Sequence, residues 1–289
     1  MNAAGANDPA ATGRRRRLLV SRLALASALL LVVAGFVLNR ERAQHGADDA
    51  QRVEHTIGAR WHGEIVTNDL QARIAPLVAQ PDRPVTMTDL PGDDRNAALG
   101  ALNQAMAIYP PGFLDTILHR IVLAGRIEMW GTEVGGFFNN ATIALNNNGT
   151  TSTAGAVFLA DSFHHELSSI VRNQVLFNVS DWTSNNPPGF AYKSLADYKA
   201  ILAERPSVEG DDALHAQGFV SRYGTTSLDN DWNTYAERVF GHGRSLAVLI
   251  HRFPRMRDKV HQLLDIYARL DPRFEPYFQN TGLRAASAP

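Results

Sequence analysis

Hydrophobic positions along this chain follow three successive patterns. A long apolar stretch covers 18–38, and its only polar residues are Ser21, Arg22 and Ser27. Short apolar runs separated by proline and glycine follow between 85 and 145, and they are typical of strands. From about 156 onward, apolar residues recur at helical spacing. This order of one long apolar helix, short strands and then helices predicts an α+β protein with an N-terminal membrane helix.

The N-terminal stretch is long enough to cross a membrane, since a transmembrane helix needs about 20 apolar residues. Four arginines, Arg14 to Arg17, precede it directly. By the positive-inside rule they stay in the cytoplasm, so the rest of the chain is expected in the periplasm or outside the cell. The predicted organisation is a cytoplasmic basic tail (1–17), a transmembrane anchor (18–38), a linker (39–52) and an extracytoplasmic domain (53–289).

Two other interpretations of this stretch stay open. A cleaved signal peptide would need a small-x-small site after the apolar run, but Asn39-Arg40-Glu41-Arg42 follows directly. A buried core helix would leave the four arginines in need of partners. Arg22 fits the anchor, because a side chain near the basic end can extend to the interface.

The extracytoplasmic part begins with a predicted helix and then a set of strands. Val53, Ile57, Trp61 and Ile65 recur at near-helical spacing, which predicts a helix over about 53–79. A second helix starts at Asp93-Asp94 and ends before Pro110. The predicted strands are 85–90, 121–123, 127–130 and 142–145. The run Asn146 to Gly149 ends the last of them as a strong turn signal.

The second half is predicted to be mainly helical. The expected helices are 156–174, 195–202, 229–240, 244–252 and 255–270, and Asp229 is the expected N-cap of the third. The predicted fold class is therefore α+β, with a small mixed sheet followed by a mainly helical C-terminal half.

Composition and charge exclude several classes of function. The net charge is −1, so nothing in the balance indicates nucleic acid as a partner. The chain has no cysteine, which excludes disulfides, a thiolate nucleophile and cysteine zinc sites.

The first candidate for chemistry lies on the predicted helix 156–174. His165-Glu166 is the first half of the H-E-x-x-H pattern, in which two histidines four residues apart bind zinc and the glutamate is the general base. The residue four positions after His165 is Ser169. A His-Glu pair on an amphipathic helix is also compatible with a purely structural role.

A second stretch lies about 70 residues later. It contains Gly218-Phe219-Val220-Ser221-Arg222-Tyr223-Gly224 and then Tyr235-Ala236-Glu237 on the following helix. Together with His165-Glu166 and a glycine-punctuated strand before them, these residues resemble the zincin-like (gluzincin) zinc-binding metallopeptidases, including those of bacterial envelopes and the lethal-factor-like ones. The resemblance covers roughly 120–250.

The resemblance implies a zincin-like domain with specific roles for three residues. His165 and Glu237 would be zinc ligands, and Glu166 would be the general base. Ser169 departs from the pattern, and a catalytic zinc normally has three protein ligands. Asp161, on the same helical face as His165, and the more distant His215 and His242 are the alternatives for the missing ligand.

Three hypotheses on function follow. The first is a membrane-anchored zinc-dependent peptidase that acts on a peptide or protein substrate outside the cytoplasm. The second is an inactive zincin-like scaffold that binds a peptide or an envelope component. The third is an unrelated anchored binding module. Reach between His165 and Glu237 separates the first two from the third.

Overall fold

The computed structural model describes residues 49–79, 84–147, 152–193 and 211–288. The chain divides into two compact units, Met1–Gln51 and Arg52–Pro289, and the account below concerns the second. The predicted anchor 18–38 and the predicted helix 195–202 lie outside the described residues. Within the described ranges, no helix combines the length and apolar character needed to span a bilayer.

A six-stranded mixed sheet forms the first half of this unit. Its strands are β1 Glu64–Val66, β2 Val85–Asp89, β3 Arg120–Met129, β4 Thr132–Glu133, β5 Gly136–Asn139 and β6 Thr142–Asn146. The long strand β3 pairs in parallel with β1 and β6, and antiparallel with β2 and β4. β5 pairs antiparallel with β6 and ends the path β1-β3-β6-β5.

Helices make up most of the described residues. They are α1 over 49–58, α2 Leu70–Arg73, α3 Ala75–Val78, α4 Arg95–Met106, α5 Phe113–Ile117, α6 Thr153–Gln174, α7 Val179–Thr183, α8 Asp212–Ala216, α9 Leu228–Ile250, α10 Pro254–Leu270, α11 Glu275–Asn280 and α12 Leu283–Ala286. The predicted α+β class with a small mixed sheet and a mostly helical second half is confirmed. The coarse order of elements was therefore readable from hydrophobic spacing.

Two clusters of buried side chains stabilise the unit. Around the sheet, Leu70, Ile74 and Val78 of α2 and α3 pack with Met87 and Ile127. In the helical half, buried aromatic rings pack at centroid distances of 4.6–6.4 Å, a range that favours offset or edge-to-face contacts. The rings at its centre are Tyr109, Phe163, Trp232, Phe240, Tyr267 and Phe274.

The single predicted helix over 53–79 is wrong. The chain there forms α1, the strand β1, and the short helices α2 and α3. Trp61, expected on a helical face, instead ends the helical part and donates its indole N–H to the carbonyl of Leu118 at 2.7 Å. Asp69, with φ of 57°, then interrupts any helical continuation. Pairing with the distant strand β3 overrides local helical spacing here.

Two boundaries in the second half also differ from the prediction. Ser227, and not Asp229, caps α9: its hydroxyl accepts the N–H of Asn230 at 3.0 Å. The predicted helices 229–240 and 244–252 are one helix with a kink at His242, whose φ of −138° is not helical. Glu237 and His242 therefore lie on the same helix, α9.

Candidate functional site

Helix α6 places His165 and Glu166 at the interface between the sheet and the helical half. Ser152 caps its N-terminus by accepting the N–H of Gly155 at 3.0 Å. Leu159, Phe163 and Leu167 form its buried apolar side. Because His165 and Glu166 lie between these positions, packing of the apolar side fixes where both polar side chains point.

Helices α6 and α9 run antiparallel, and polar side chains pair between them at intervals of about one turn. The register follows from the contacts: as residue numbers rise along α6, those of their partners fall along α9. The pairs, in order, are Asp161 with His242, His165 with Glu237, Ser168 and Ser169 with Asn233, and Arg172 with Asp229. We call these four contacts the interhelical ladder.

His165 and Glu237, the two zinc ligands that the resemblance implies, contact each other. His165 Nδ1 lies 3.4 Å from Glu237 Oε2, although the residues are 72 positions apart. His165 is only 9% exposed. Burial lowers the pKa of His165, but the hydrogen bond to Glu237 and the charges of Glu166 and Glu237 outweigh it, so the pKa is raised. The imidazole is therefore poised to be a cation that Glu237 stabilises.

Glu166 lies against the edge strand β5. A Cβ added to Gly136 would meet Glu166 Cγ at 3.2 Å and Oε1 at 3.4 Å, and it would lie 2.6 Å from the backbone oxygen of Ala144, which disfavours any side chain there. Burial raises the pKa of Glu166 to about 7; the neighbouring His165 lowers it and Glu237 raises it. A carboxyl group with a pKa near neutrality can donate or accept a proton at physiological pH.

Ser169 occupies the position of the second imidazole in the pattern, and it is not open to a metal. It is 1% exposed, and its hydroxyl accepts a hydrogen bond from the Asn233 amide at 2.6 Å. The Asn233 carbonyl oxygen accepts from Ser168 Oγ, also at 2.6 Å. Asn233 thus bonds to both serines at this rung.

Asp161 and His242 form the rung on the other side of His165. Both oxygens of Asp161 lie within 3.0 Å of His242 Nε2. A Cβ on Gly241 would lie 2.5 Å from Asp161 Oδ1, so the glycine makes this approach possible. Burial raises the pKa of Asp161, the hydrogen bond from His242 lowers it, and Glu237 raises it further, with a net rise. Two of the three alternative ligands from the sequence, Asp161 and His242, are therefore bonded to each other.

The other candidate histidines take structural positions. His164 is buried, and its Nδ1 lies 2.9 Å from the hydroxyl of Tyr109. Burial lowers the pKa of His164 to about 3, so this imidazole is neutral. His215 is buried against the ring of Phe253 at a centroid distance of 5.4 Å. The contact from α6 to Glu237 is made by His165, and neither His164 nor His215 takes part in it.

The residues present do not fit a catalytic zinc as they are placed. Such a zinc takes three protein ligands and one open position. Of the side chains that the structure describes, no three histidine or carboxylate groups lie close enough together to hold one ion. His165 and Glu237 contact each other directly, and Ser169 is bonded to Asn233.

Sequence reasoning missed Asn233, although a signal for it existed. Asn233 precedes Glu237 by four residues, just as Ser169 follows His165 by four. Residues four apart share a helical face, so contact between His165 and Glu237 in antiparallel helices also brings Ser169 near Asn233.

Comparison with known protein families, with curated proteins and with solved structures finds no match to this chain.

Proposed function

We propose that this chain is a membrane-anchored protein of zincin-like architecture that binds an extended peptide or another envelope component outside the cytoplasm, without zinc peptidase chemistry. The bond between Asn233 and Ser169 is the observation on which this rests. It pairs Asn233 with the side chain that stands where a zincin places its second imidazole. Arg14 to Arg17 and the apolar run 18–38 support the anchor and its orientation.

The edge strand β5 is the surface proposed to bind the peptide. Among the described strands, β5 pairs only with β6, so its other side is available for an added strand. Gly135 accepts the N–H of Asn146 at 2.9 Å in this register. Since backbone groups alternate in direction along a strand, Gly136 and Phe138 direct their N–H groups away from β6.

Glu166 lies directly behind this edge strand. Its approach to Gly136 places a carboxyl group with a pKa of about 7 beside the backbone that a bound peptide would follow. In its protonated form Glu166 can donate a hydrogen bond, and in its ionised form it can only accept one. Peptide binding along β5 is therefore expected to depend on pH near neutrality.

A zinc-dependent peptidase is the second candidate. The distance of 3.4 Å between His165 and Glu237 favours it, because both are the ligands that the resemblance implies. Glu166 also stands in sequence where that family has its general base. What this candidate lacks is a third donor, since Ser169 is bonded to Asn233. We therefore rank it below binding without cleavage.

One experiment on the full chain in detergent micelles separates the two. Binding of a synthetic library of fluorescently labelled extended peptides would be measured by anisotropy for the wild type, Phe138→Pro and Phe138→Ala. The proline removes the N–H that points away from β6, whereas the alanine keeps it. Binding by the wild type and Phe138→Ala but not by Phe138→Pro supports the proposal, with circular dichroism as the check on folding.

Zinc content and peptide cleavage are measured on the same samples after zinc is offered. About one zinc per chain, lost in His165→Ala, together with cleavage lost in Glu166→Gln, would establish the peptidase and overturn the first proposal. Peptide binding without zinc retention supports the first proposal. A protein that neither binds the peptides nor retains zinc would exclude both proposals.

A further inference from the structure

Lys259 of α10 and Asp231 of α9 form a fully buried ion pair. Lys259 Nζ lies 2.7 Å from Asp231 Oδ2, and both side chains are 0% exposed. The indole N–H of Trp182 and the hydroxyl of Tyr192 donate to the same oxygen, each at 2.9 Å. Removing two charges from water is costly, and the three donors on Asp231 Oδ2 offset part of that cost. Among the described residues, the buried Oδ1 of Asp231 has no hydrogen-bond partner.

Aromatic rings surround the ammonium group of Lys259. Its Nζ lies 4.4 Å from the ring centroid of Phe219, 5.4 Å from that of Trp182 and 5.5 Å from that of Tyr235. Faces of aromatic rings attract cations, most strongly where water is excluded. The cation is therefore held by one carboxylate and by rings from three separate parts of the chain.

The same ammonium group also holds the backbone at Gly218. The carbonyl of Gly218 accepts hydrogen bonds from Lys259 Nζ and from the Tyr235 hydroxyl, both at 2.9 Å. Gly218 has a φ of +87°, and a Cβ there would lie 2.9 Å from the carbonyl oxygen of Asn185. This glycine is thus fixed in a conformation that other residues rarely adopt.

The segment that starts at Gly218 leads to the candidate site. It continues through Phe219 to the 3₁₀ turn Tyr223–Thr225 and joins α9 at its cap, Ser227. Near its middle, the ring of Tyr223 lies on the imidazole of His165, with a centroid distance of 5.6 Å. One end of the segment is held by Lys259 and the other by the start of α9.

We propose that Lys259 and Asp231 are positioning residues that hold the segment 218–226 so that Tyr223 lies against His165. Among the described residues, neither Lys259 nor Asp231 hydrogen-bonds or pairs with His165. Their effect on His165 therefore passes through the segment 218–226. The inference concerns how the site is built, and it holds whether or not the site binds a peptide. A pair that served only overall stability would leave the environment of His165 unchanged in a folded variant.

The test measures the His165 resonance by NMR on the full chain in detergent micelles, with isotope-labelled histidine and EDTA present. The resonance is assigned by its loss in His165→Gln. Tyr223→Leu defines the ring-current shift that Tyr223 imposes on His165. Lys259→Met is expected to move the resonance in the same direction. The double variant Lys259→Met with Tyr223→Leu is expected to shift it little further, because both changes remove the same contact, that of Tyr223 with His165.

Tyr267→Phe is the matched control, since it removes a buried hydroxyl from the same helix α10 without touching Gly218. It should leave the His165 resonance in place. If Lys259→Met does not fold, Asp231→Asn decides: it removes the charge that pairs with Lys259 and keeps the size of the side chain. A folded Lys259→Met, or in its place Asp231→Asn, with an unshifted His165 resonance would overturn the proposal, and so would an unshifted resonance in Tyr223→Leu.

Discussion

The amide of Asn233 donates a 2.6 Å hydrogen bond to the hydroxyl of Ser169, and its carbonyl oxygen accepts one of equal length from Ser168. This rung of the interhelical ladder lies about one helical turn from the contact of His165 with Glu237. Asn233, Ser168 and Ser169 are each at most 3% exposed. The helix pair is therefore joined here by a closed polar network that requires no metal.

Removing Asn233 from this network is expected to destabilise the protein. Asn233→Leu removes the partner of the buried Ser169 hydroxyl, while Ser168 keeps its bond to the carbonyl of His165 at 2.8 Å. An unsatisfied buried group costs about 1–3 kcal/mol. We expect the free energy of unfolding to fall by about 2 kcal/mol or more, measured by denaturant unfolding followed by circular dichroism.

The control for this prediction removes the serines as well. Ser168→Ala and Ser169→Ala added to Asn233→Leu should recover a large part of the lost stability, because no buried polar group is then left unpaired. If the triple variant is no more stable than Asn233→Leu, packing and not hydrogen bonding sets the cost.

Glu237→Gln is expected to lower the pKa of His165. The hydrogen bond and the negative charge of Glu237 both favour the protonated imidazole, and the variant removes the charge while it keeps the size. An NMR titration of the His165 resonance measures the change.

Asp161→Asn is the matched variant for this titration. Asp161 bonds His242, and not His165, so the pKa of His165 should change less than in Glu237→Gln. Equal changes in the two variants would show that His165 responds to the general charge of the site and not to its contact with Glu237.

The free energy of unfolding should depend on pH through Glu166. Its pKa is about 7 in the folded protein and 4.5 as a free side chain. Between these values the folded state keeps a proton that the unfolded state releases, so stability falls as pH rises through this window. His165, whose pKa is also raised, adds a fall of the same sign.

Glu166→Gln tests the contribution of Glu166, because it removes the titration of that group. The variant also removes one of the charges that raise the pKa of His165. Between about pH 5 and pH 8, the variant should lose less stability than the wild type, by at most about 3 kcal/mol. Unfolding curves at both pH values measure this difference. Parallel pH profiles for the two proteins would show that Glu166 titrates normally.

Two Gly→Ala substitutions should change stability in opposite directions. In Gly136→Ala the new Cβ would lie 2.6 Å from the carbonyl oxygen of Ala144, and the backbone of β6 must shift, at a cost of about 1–3 kcal/mol. Gly100 is in the middle of α4 with nothing within 4 Å, so Gly100→Ala should stabilise by about 0.5–1 kcal/mol. Melting temperatures of the two variants check the signs, and a stable Gly136→Ala would contradict the close approach of Gly136 to the carbonyl oxygen of Ala144.

Local patterns predicted the elements that one continuous stretch of chain determines. The helix predicted at 156–174 is α6, which begins at Thr153 and ends at Gln174, because its apolar residues repeat at helical spacing. The strand predicted at 142–145 is within β6. The prediction failed at 64–66, where the helical spacing of Ile57, Trp61 and Ile65 is coincidental and β1 pairs with a strand more than fifty residues away.

By itself the sequence determined that His165 and Glu166 lie together on a helix and that Glu237 lies on a later one. Only the tertiary structure decided that Glu237 reaches His165, that Asn233 closes the bonding of Ser169, and that β5 is an edge strand. These contacts depend on the register between two helices and on the order of strands in a sheet. Both are set by packing between distant parts of the chain, which the spacing of residues within one element does not encode.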